Sequence, residues 1–440
     1  MSAFTNQIRL LQAAGHVGHL QLQEMASHRQ KIDELENFEK IELSKVLREC
    51  GLYEHADDLC RRLTSENPPV SEAYLQYSIS CLMQGRHSDA LELAGRLVGL
   101  ESDNFDALVL IARMQQRLGF HVQADTTIER IARLKPGAGE LQWLAELNKF
   151  LIRYPAEKAY DLARSVADSD RFLDKDTLTA KIENALAEKK GFSFIRLGDG
   201  EGAFIKISDA DEDLYPNLYA HSRNNRANVW FAGEIDIATS NFTRAALELV
   251  IAIEGADVVG VPPIEWLKYD YLICSVTGMP SLVNALRWIG LPNIDSGQAL
   301  TKHAIHLEFF RTGHLTRILK SQSEIGVISC HAEAPTTLKR AFGFTDIEFH
   351  KIPGEKLHAH LLGPAAVEGQ HFPTRYHEVM TALRRPLEGK LFLVAGGLLG
   401  KFYCDQIKRS GGVALDIGSL IDGWMGVDSR PGVGFDQDKL

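Results

Sequence analysis

The stretch FSFIRLGDGEGAF, residues 192–204, decides the fold. Phe192 to Ile195 are apolar or small with an aromatic and β-branched bias, which predicts a short strand buried on both faces. The strand runs directly into Arg196-Leu197-Gly198-Asp199-Gly200-Glu201-Gly202. Glycines at alternate positions free the backbone to turn tightly, and carboxylates two residues apart on such a turn can address one small object. Hard divalent cations such as manganese and magnesium take oxygen ligands and are commonly held by one or two carboxylates together with substrate phosphates. Asp199 and Glu201 are therefore expected as metal ligands and catalytic residues, with the metal bridging a nucleotide diphosphate.

The same loop admits a second reading, because Gly198-x-Gly200-x-x-Ala203 after a strand also fits the dinucleotide fingerprint. Its charge argues against that. In the fingerprint the pyrophosphate rests on bare backbone amides, whereas here two carboxylates would repel it unless a cation intervened. No acidic residue stands about 20 positions further on, where the ribose ligand is expected. The phosphate-binding loop ending in GK[ST] fails at Gly400-Lys401, where Ala395 replaces the leading glycine and Phe402 replaces the hydroxyl residue. A solvated Asp-Gly surface turn is the remaining structural alternative.

Beyond this loop, short apolar runs alternate with helical stretches from about residue 175. DVVGVPP (257–263), EIGVISCH (324–331), DIEFHKIPG (346–354), KLFLVAGG (390–397) and VALDIGS (413–419) are expected strands. Helices are expected over 236–254, 300–320, 335–342, 374–385 and 400–410. Strands apolar throughout and separated by helices imply an α/β fold with a mostly parallel sheet covered on both faces. Ligands bind beyond the carboxyl ends of such strands, so the residues that follow each run are the site candidates.

Gly396, Gly397, Gly400 and Lys401 form a strand-to-helix turn whose amides and ammonium could cradle phosphate. Arg196 would either bind the diphosphate or pair with Asp199 and hold the loop. Asp416 and Asp422 flank Ser419, where a ribose or acceptor would sit, unless they merely cap a turn. A general base for an acceptor hydroxyl would be Asp236, Glu355, Asp416 or Asp422. His331, in SCHAE, is a weaker candidate that reads more naturally as structural. His303 and His306 share a helical face but lack a patterned carboxylate partner, so no zinc site is expected there.

The N-terminal part is organised differently. Gly51, Gly85 and Gly119 stand 34 residues apart, and Ala56, Ala90 and Ala124 follow each by five. Cys60/Leu63 recurs as Ala94/Leu97 and Ile128/Ile131. A 34-residue period with glycine ending the first helix and a small residue in the second resembles the tetratricopeptide repeat. Residues 40–150 are thus expected to form stacked helical hairpins whose concave face receives a peptide or protein. The array could instead be a spacer or a self-association surface, making the chain a homo-oligomer. Residues 1–39 read as a polar lead-in helix or partly disordered arm, 151–180 as a helical connector, 181–430 as the α/β domain, and 431–440 as a tail.

Composition narrows the class. The chain has 440 residues, 45% of them apolar and 24% charged, and its 48 basic against 58 acidic residues give a net charge of −10. That is an ordinary globular composition, without the basic surplus that dominates nucleic-acid affinity. No stretch reads as a signal peptide or an uninterrupted bilayer span. Six scattered cysteines show no CxxC or zinc spacing, so reduced thiols and a cytoplasmic protein are expected.

Two separated motifs carry a resemblance. A strand leading into R-x-G-D-G-E at Arg196–Glu201, then a strand and Gly-rich turn at Val394–Lys401, then a strand ending in ALDIG at Ala414–Gly418, resemble the GT-D type glycosyltransferases. The similarity spans roughly residues 175–430. It implies a Rossmann-like catalytic domain that uses a nucleotide sugar, commonly a UDP-sugar, with a divalent metal. The family's D-x-E motif falls on Asp199 and Glu201. Leu197, where an aromatic is usual, and the GGLLGK turn depart from the common pattern. Joined to the repeats, the resemblance implies a transferase whose protein or glycan acceptor is held in part by the helical array. A non-catalytic adaptor and an NAD-dependent oxidoreductase are the alternatives from other classes.

Overall fold

The structure is a computed structural model that describes residues 2–198, 200–231, 246, 248–290 and 298–427. The expected site residues Asp199 and Asp236 lie outside the described residues, as does the 431–440 tail. The chain divides into two compact units, one formed by residues 1–156 with 268–276 and the other by residues 157–267 with 277–440.

The first unit is all helical. Helices α1 (Ala3–Ala13), α2 (Gly15–Ser27) and α3 (Arg29–Asp33) precede the pairs α4 (Asn37–Glu49) and α5 (Tyr53–Thr64), α6 (Ser71–Met83) and α7 (His87–Leu100), and α8 (Phe105–Arg117) and α9 (His121–Leu134); α10 is Gly139–Arg153. Helices α4, α6, α8 and α10 start 34 residues apart. The turns inside the pairs need left-handed backbone, and glycine supplies it at φ values of +75, +74 and +78° for Gly51, Gly85 and Gly119. The alanines of the period, Ala56, Ala90 and Ala124, are all buried, which lets the paired helices approach closely.

The segment read as a lead-in helix or arm is three helices with a share in the core. Ile8, Leu22 and Ile32 pack with Leu43, Val46 and Leu47 of α4, and Ser2 caps α1 by accepting the Thr5 amide. Residues 268–276 belong to this unit too. Arg113 Nη2 donates to Cys274 O at 2.7 Å and Tyr271 Oη to Tyr154 O at 2.6 Å.

The second unit is a seven-stranded sheet of β1 (Phe192–Arg196), β2 (Val258–Val261), β3 (Ala299–Lys302), β4 (Glu324–Ser329), β5 (Asp346–Lys351), β6 (Leu391–Val394) and β7 (Val413–Asp416). The order is β3-β2-β1-β7-β6-β4-β5, and every pairing is parallel. Phe192, Phe194, Ile325, Val327, Leu391, Leu393, Val413 and Leu415 share one apolar cluster with Leu178 and Ile182 of the helix Lys175–Ala187 and with Trp424. The helix Gly397–Arg409 buries Leu398, Leu399, Phe402, Tyr403 and Ile407.

Six of the seven strands fall where the sequence places them. The seventh, β3, occupies residues expected to open a helix. Its residues ALTK, ending in an exposed lysine, run without a Gly, Pro or other turn residue into the apolar segment that follows. That segment is two helices, Ile305–Arg311 and His314–Lys320, separated at Gly313, whose φ is +78°. Of the helix expected over 236–254, residues 236–245 and 247 lie outside the described residues, and Leu249–Glu254 is helical. Among the described residues, no helix is long and apolar enough to cross a membrane.

Gly326 on β4 faces Phe392 on β6 in register, and a Cβ there would lie 2.1 Å from the Phe392 ring. Gly326→Ala is therefore expected to cost about 1–3 kcal/mol of stability through overpacking, read as a lower urea midpoint with an unchanged slope.

Candidate functional site

Because all seven strands run in parallel, the loops after their carboxyl ends gather at one edge of the sheet. They enclose a cavity of about 440 Å3, within the range of small-molecule sites. Arg196, Gly198, Gly200 and Glu201 enter its wall from β1, Trp266 from beyond β2, His303 and His306 from beyond β3, and Cys330 from beyond β4. Glu355 follows β5, Gly396, Gly397 and Lys401 follow β6, and Asp416, Gly418, Ser419 and Asp422 complete it from β7.

At the base of the cavity four charged side chains neutralise one another. Arg196 ends β1 and Asp416 ends the adjacent β7. Arg196 Nη2 lies 3.1 Å from Asp416 Oδ1, and the Arg196 amide donates to Asp416 Oδ2 at 3.2 Å. Lys401, in the second turn of the helix Gly397–Arg409, places Nζ 3.2 Å from Asp416 Oδ2 and 2.9 Å from Glu201 Oε1. The other Glu201 oxygen, Oε2, accepts the Gly198 amide at 2.8 Å. All four side chains are buried.

Burial alone would raise the Asp416 pKa, but the Arg196 and Lys401 cations outweigh it and hold the carboxyl well below the usual carboxylate range. Burial likewise opposes the charge on Lys401, and Asp416 and Glu201 reverse that effect, so its pKa stands above the usual lysine value. His303 and His306 behave oppositely. Burial first, and the Arg196 cation second, push both imidazoles well below their ordinary pKa, so they are neutral at neutral pH.

The glycines around this cluster each answer to a contact. Gly418 has φ +47°, and a Cβ there would lie 1.9 Å from Arg196 Nη2. A Cβ on Gly396 would press on the Gly400 backbone at 3.0 Å, which seats the helix on the end of β6. Gly397, with φ +54°, begins that helix, whose first turn has no side-chain cap.

The residues that match a known family model are 173–424, and the family is described as the GT-D fold-like domain. The chain belongs to this family. Neither the comparison with curated proteins nor that with solved structures gives a match. The GT-D fold-like domain thus accounts for the parallel sheet and gives the chain a glycosyltransferase-like fold.

Within the GT-D fold-like domain, the structure brings Arg196, Gly198, Gly200, Glu201, Glu355, Gly396, Gly397, Lys401, Asp416 and Asp422 to one cavity. Gly400 stands behind the wall, where a Cβ would lie 3.3 Å from Val394 Cγ1. Arg196 pairs with Asp416. Lys401, expected to cradle phosphate, spends its ammonium on Glu201, Asp416 and the Gly397 carbonyl, the last at 3.0 Å. Glu355 Oε2 pairs with His358 Nδ1 at 2.7 Å, and His331 Nε2 with Asp422 Oδ1 at 2.9 Å.

Sequence reasoning passed over Trp266 and weighed His303 only as a zinc ligand; their rings meet edge to face with centroids 4.6 Å apart. The signal for His303 was its place after a strand, and it was lost because β3 was read as helix.

Removing the ammonium in Lys401→Met leaves two buried carboxylates with Arg196 as their cation. It is expected to cost about 3–5 kcal/mol, measured by chemical denaturation. Because Asp416 titrates lower in the folded than in the unfolded state, the stability it contributes is present above its unfolded pKa of about 4 and is lost as pH falls below it. The acid limb of the stability-pH curve is therefore expected to be shallower in Asp416→Asn than in the wild type.

Proposed function

We propose that the chain is a glycosyltransferase that moves a sugar from a nucleotide-sugar donor, with UDP as the nucleotide, to a protein or glycan acceptor. The observation that supports this reading most directly is the first turn of the helix Gly397–Arg409. It borders the cavity at Gly396, Gly397, Leu398 and Leu399 with no side-chain cap. Uncapped amides at a helix N-terminus, with the partial positive charge of the helix behind them, suit a diphosphate. Charge develops on that group as the sugar leaves, so donors fixed there stabilise the transition state more than the ground state.

The proton released by the acceptor hydroxyl is assigned to Glu355, which lines the cavity and is oriented by His358. Asp416 is unsuited to that part, since both of its oxygens are held by Arg196 and Lys401.

A divalent cation, manganese or magnesium, belongs to the proposal through Asp199. Glu201 does not fit as its second ligand, because Oε1 faces the Lys401 ammonium and Oε2 the Gly198 amide. A metal ion there would compete with a buried ammonium for the same oxygen, so Glu201 is assigned to shaping the loop. The tetratricopeptide-like repeats are assigned to holding the acceptor chain.

Thermal-shift titration with nucleoside diphosphates and NAD(H), with and without manganese, tests the class. UDP is expected to raise the melting temperature in a manganese-dependent way that Asp199→Asn removes; stabilisation by NAD(H) alone would overturn the reading. Glu355→Gln is expected to lower kcat by roughly 10²-fold or more while leaving the UDP response intact.

A further inference from the structure

A second group of donors stands at the cavity wall, on strand ends that the acidic loop does not use. Ser329 ends β4, and its Oγ accepts the His331 amide at 3.2 Å, turning the chain sharply. Cys330 and His331 follow that turn, and Asp422 comes from the short helix Leu420–Trp424 beyond β7. One ligand atom from each, the Cys330 Sγ, a His331 ring nitrogen and an Asp422 oxygen, all lie within 4.8 Å of one another. This is the one such three-donor cluster among the described residues. Cys330 and His331 are buried, at 7% and 2% exposure.

We propose that Cys330, His331 and Asp422 form a transition-metal site of the zinc type, with its open position toward the cavity. The donor set selects the metal. Thiolate, imidazole and one carboxylate suit zinc and its neighbours, whereas magnesium and manganese prefer oxygen throughout. Three protein ligands with a fourth position left for water or substrate is the pattern of reactive rather than structural zinc sites. Cys330 and Asp422 both line the cavity, so two of the three donors stand in its wall.

A separate observation concerns the other ring nitrogen. His331 Nε2 is the atom beside Asp422, and Nδ1 lies 3.4 Å from Glu333 Oε1. A ligating histidine characteristically gives its remaining N–H to a carboxylate, which fixes the tautomer and raises the ring's basicity. Glu333 is placed to do this from the start of the helix Ala334–Phe342. The site goes beyond the transferase reading and does not depend on it, because its test is metal binding rather than turnover.

The test uses the full chain, stripped with a chelator, and cobalt(II) as the probe. One equivalent of cobalt is expected, with thiolate-to-cobalt charge-transfer absorption that stoichiometric zinc bleaches. Cys330→Ser is expected to abolish the band, and Asp199→Asn to leave it intact. Glu333→Gln changes a side chain that is 59% exposed and threatens folding little, and it is expected to weaken cobalt binding about tenfold or more. Absence of cobalt binding, a band that survives Cys330→Ser or is lost in Asp199→Asn, or an unchanged affinity in Glu333→Gln would each overturn the proposal. Should Cys330→Ser lose its native circular dichroism, the Glu333 variant decides.

Discussion

The cavity depends on one interaction, the contact of Arg196 and Lys401 with Asp416 and Glu201. Each of these charges, taken alone out of water, would cost several kcal/mol even after relaxation. Together they sum to zero, and each is satisfied by a partner within about 3 Å. The four come from the end of β1, the loop after it, the helix after β6 and the end of β7. The cluster therefore fixes the register of the two central strands, which meet across more than 200 residues of chain. It also fixes the helix that presents its N-terminus to the cavity. Gly418 belongs to the same constraint, because any side chain there would occupy the place of the Arg196 guanidinium.

Much of this was legible in the sequence, for reasons that differ between the units. The 34-residue period could be read because each repeat meets the same local demand, a left-handed residue at Gly51, Gly85 and Gly119 and a small one at Ala56, Ala90 and Ala124. Six strands could be read because a strand buried on both faces is apolar throughout. The edge strand β3 ends in an exposed lysine and has no turn residue before the helix beyond it, so its pattern does not separate from that helix. The first helices were obscured by their polar outer faces, although Ile8, Leu22 and Ile32 supply the contacts that bury them.

The cavity was legible as a list of loops but not as a set of pairs. That residues following each strand should converge is a rule of parallel sheets, and most of the expected residues do converge. Which of them meet is a long-range property with no local signal. Lys401 read as a phosphate ligand because it follows a Gly-rich strand-to-helix turn; in the structure its ammonium meets Glu201 and Asp416. Cys330 read only as part of a strand end and His331 as a weak catalytic candidate, because the carboxylate that completes their cluster lies 91 positions away from His331 at Asp422.

This pairing changes the electrostatic argument about the acidic loop. Two carboxylates beside a diphosphate require a metal ion only if nothing else compensates them. Glu201 is already compensated by Lys401, and Asp416 by Arg196, so the wall meets an anion as a locally neutral surface with helix amides directed at it. On the proposed reading, what is left for a divalent cation to balance is chiefly the diphosphate itself. A cation held mainly by its substrate should bind weakly to the empty site and tightly once nucleotide is present. The softer cluster of Cys330, His331 and Asp422, assembled by the protein alone, should hold its metal without nucleotide. On the proposed readings the two kinds of site differ in what builds them, one completed by its substrate and the other by protein ligands alone.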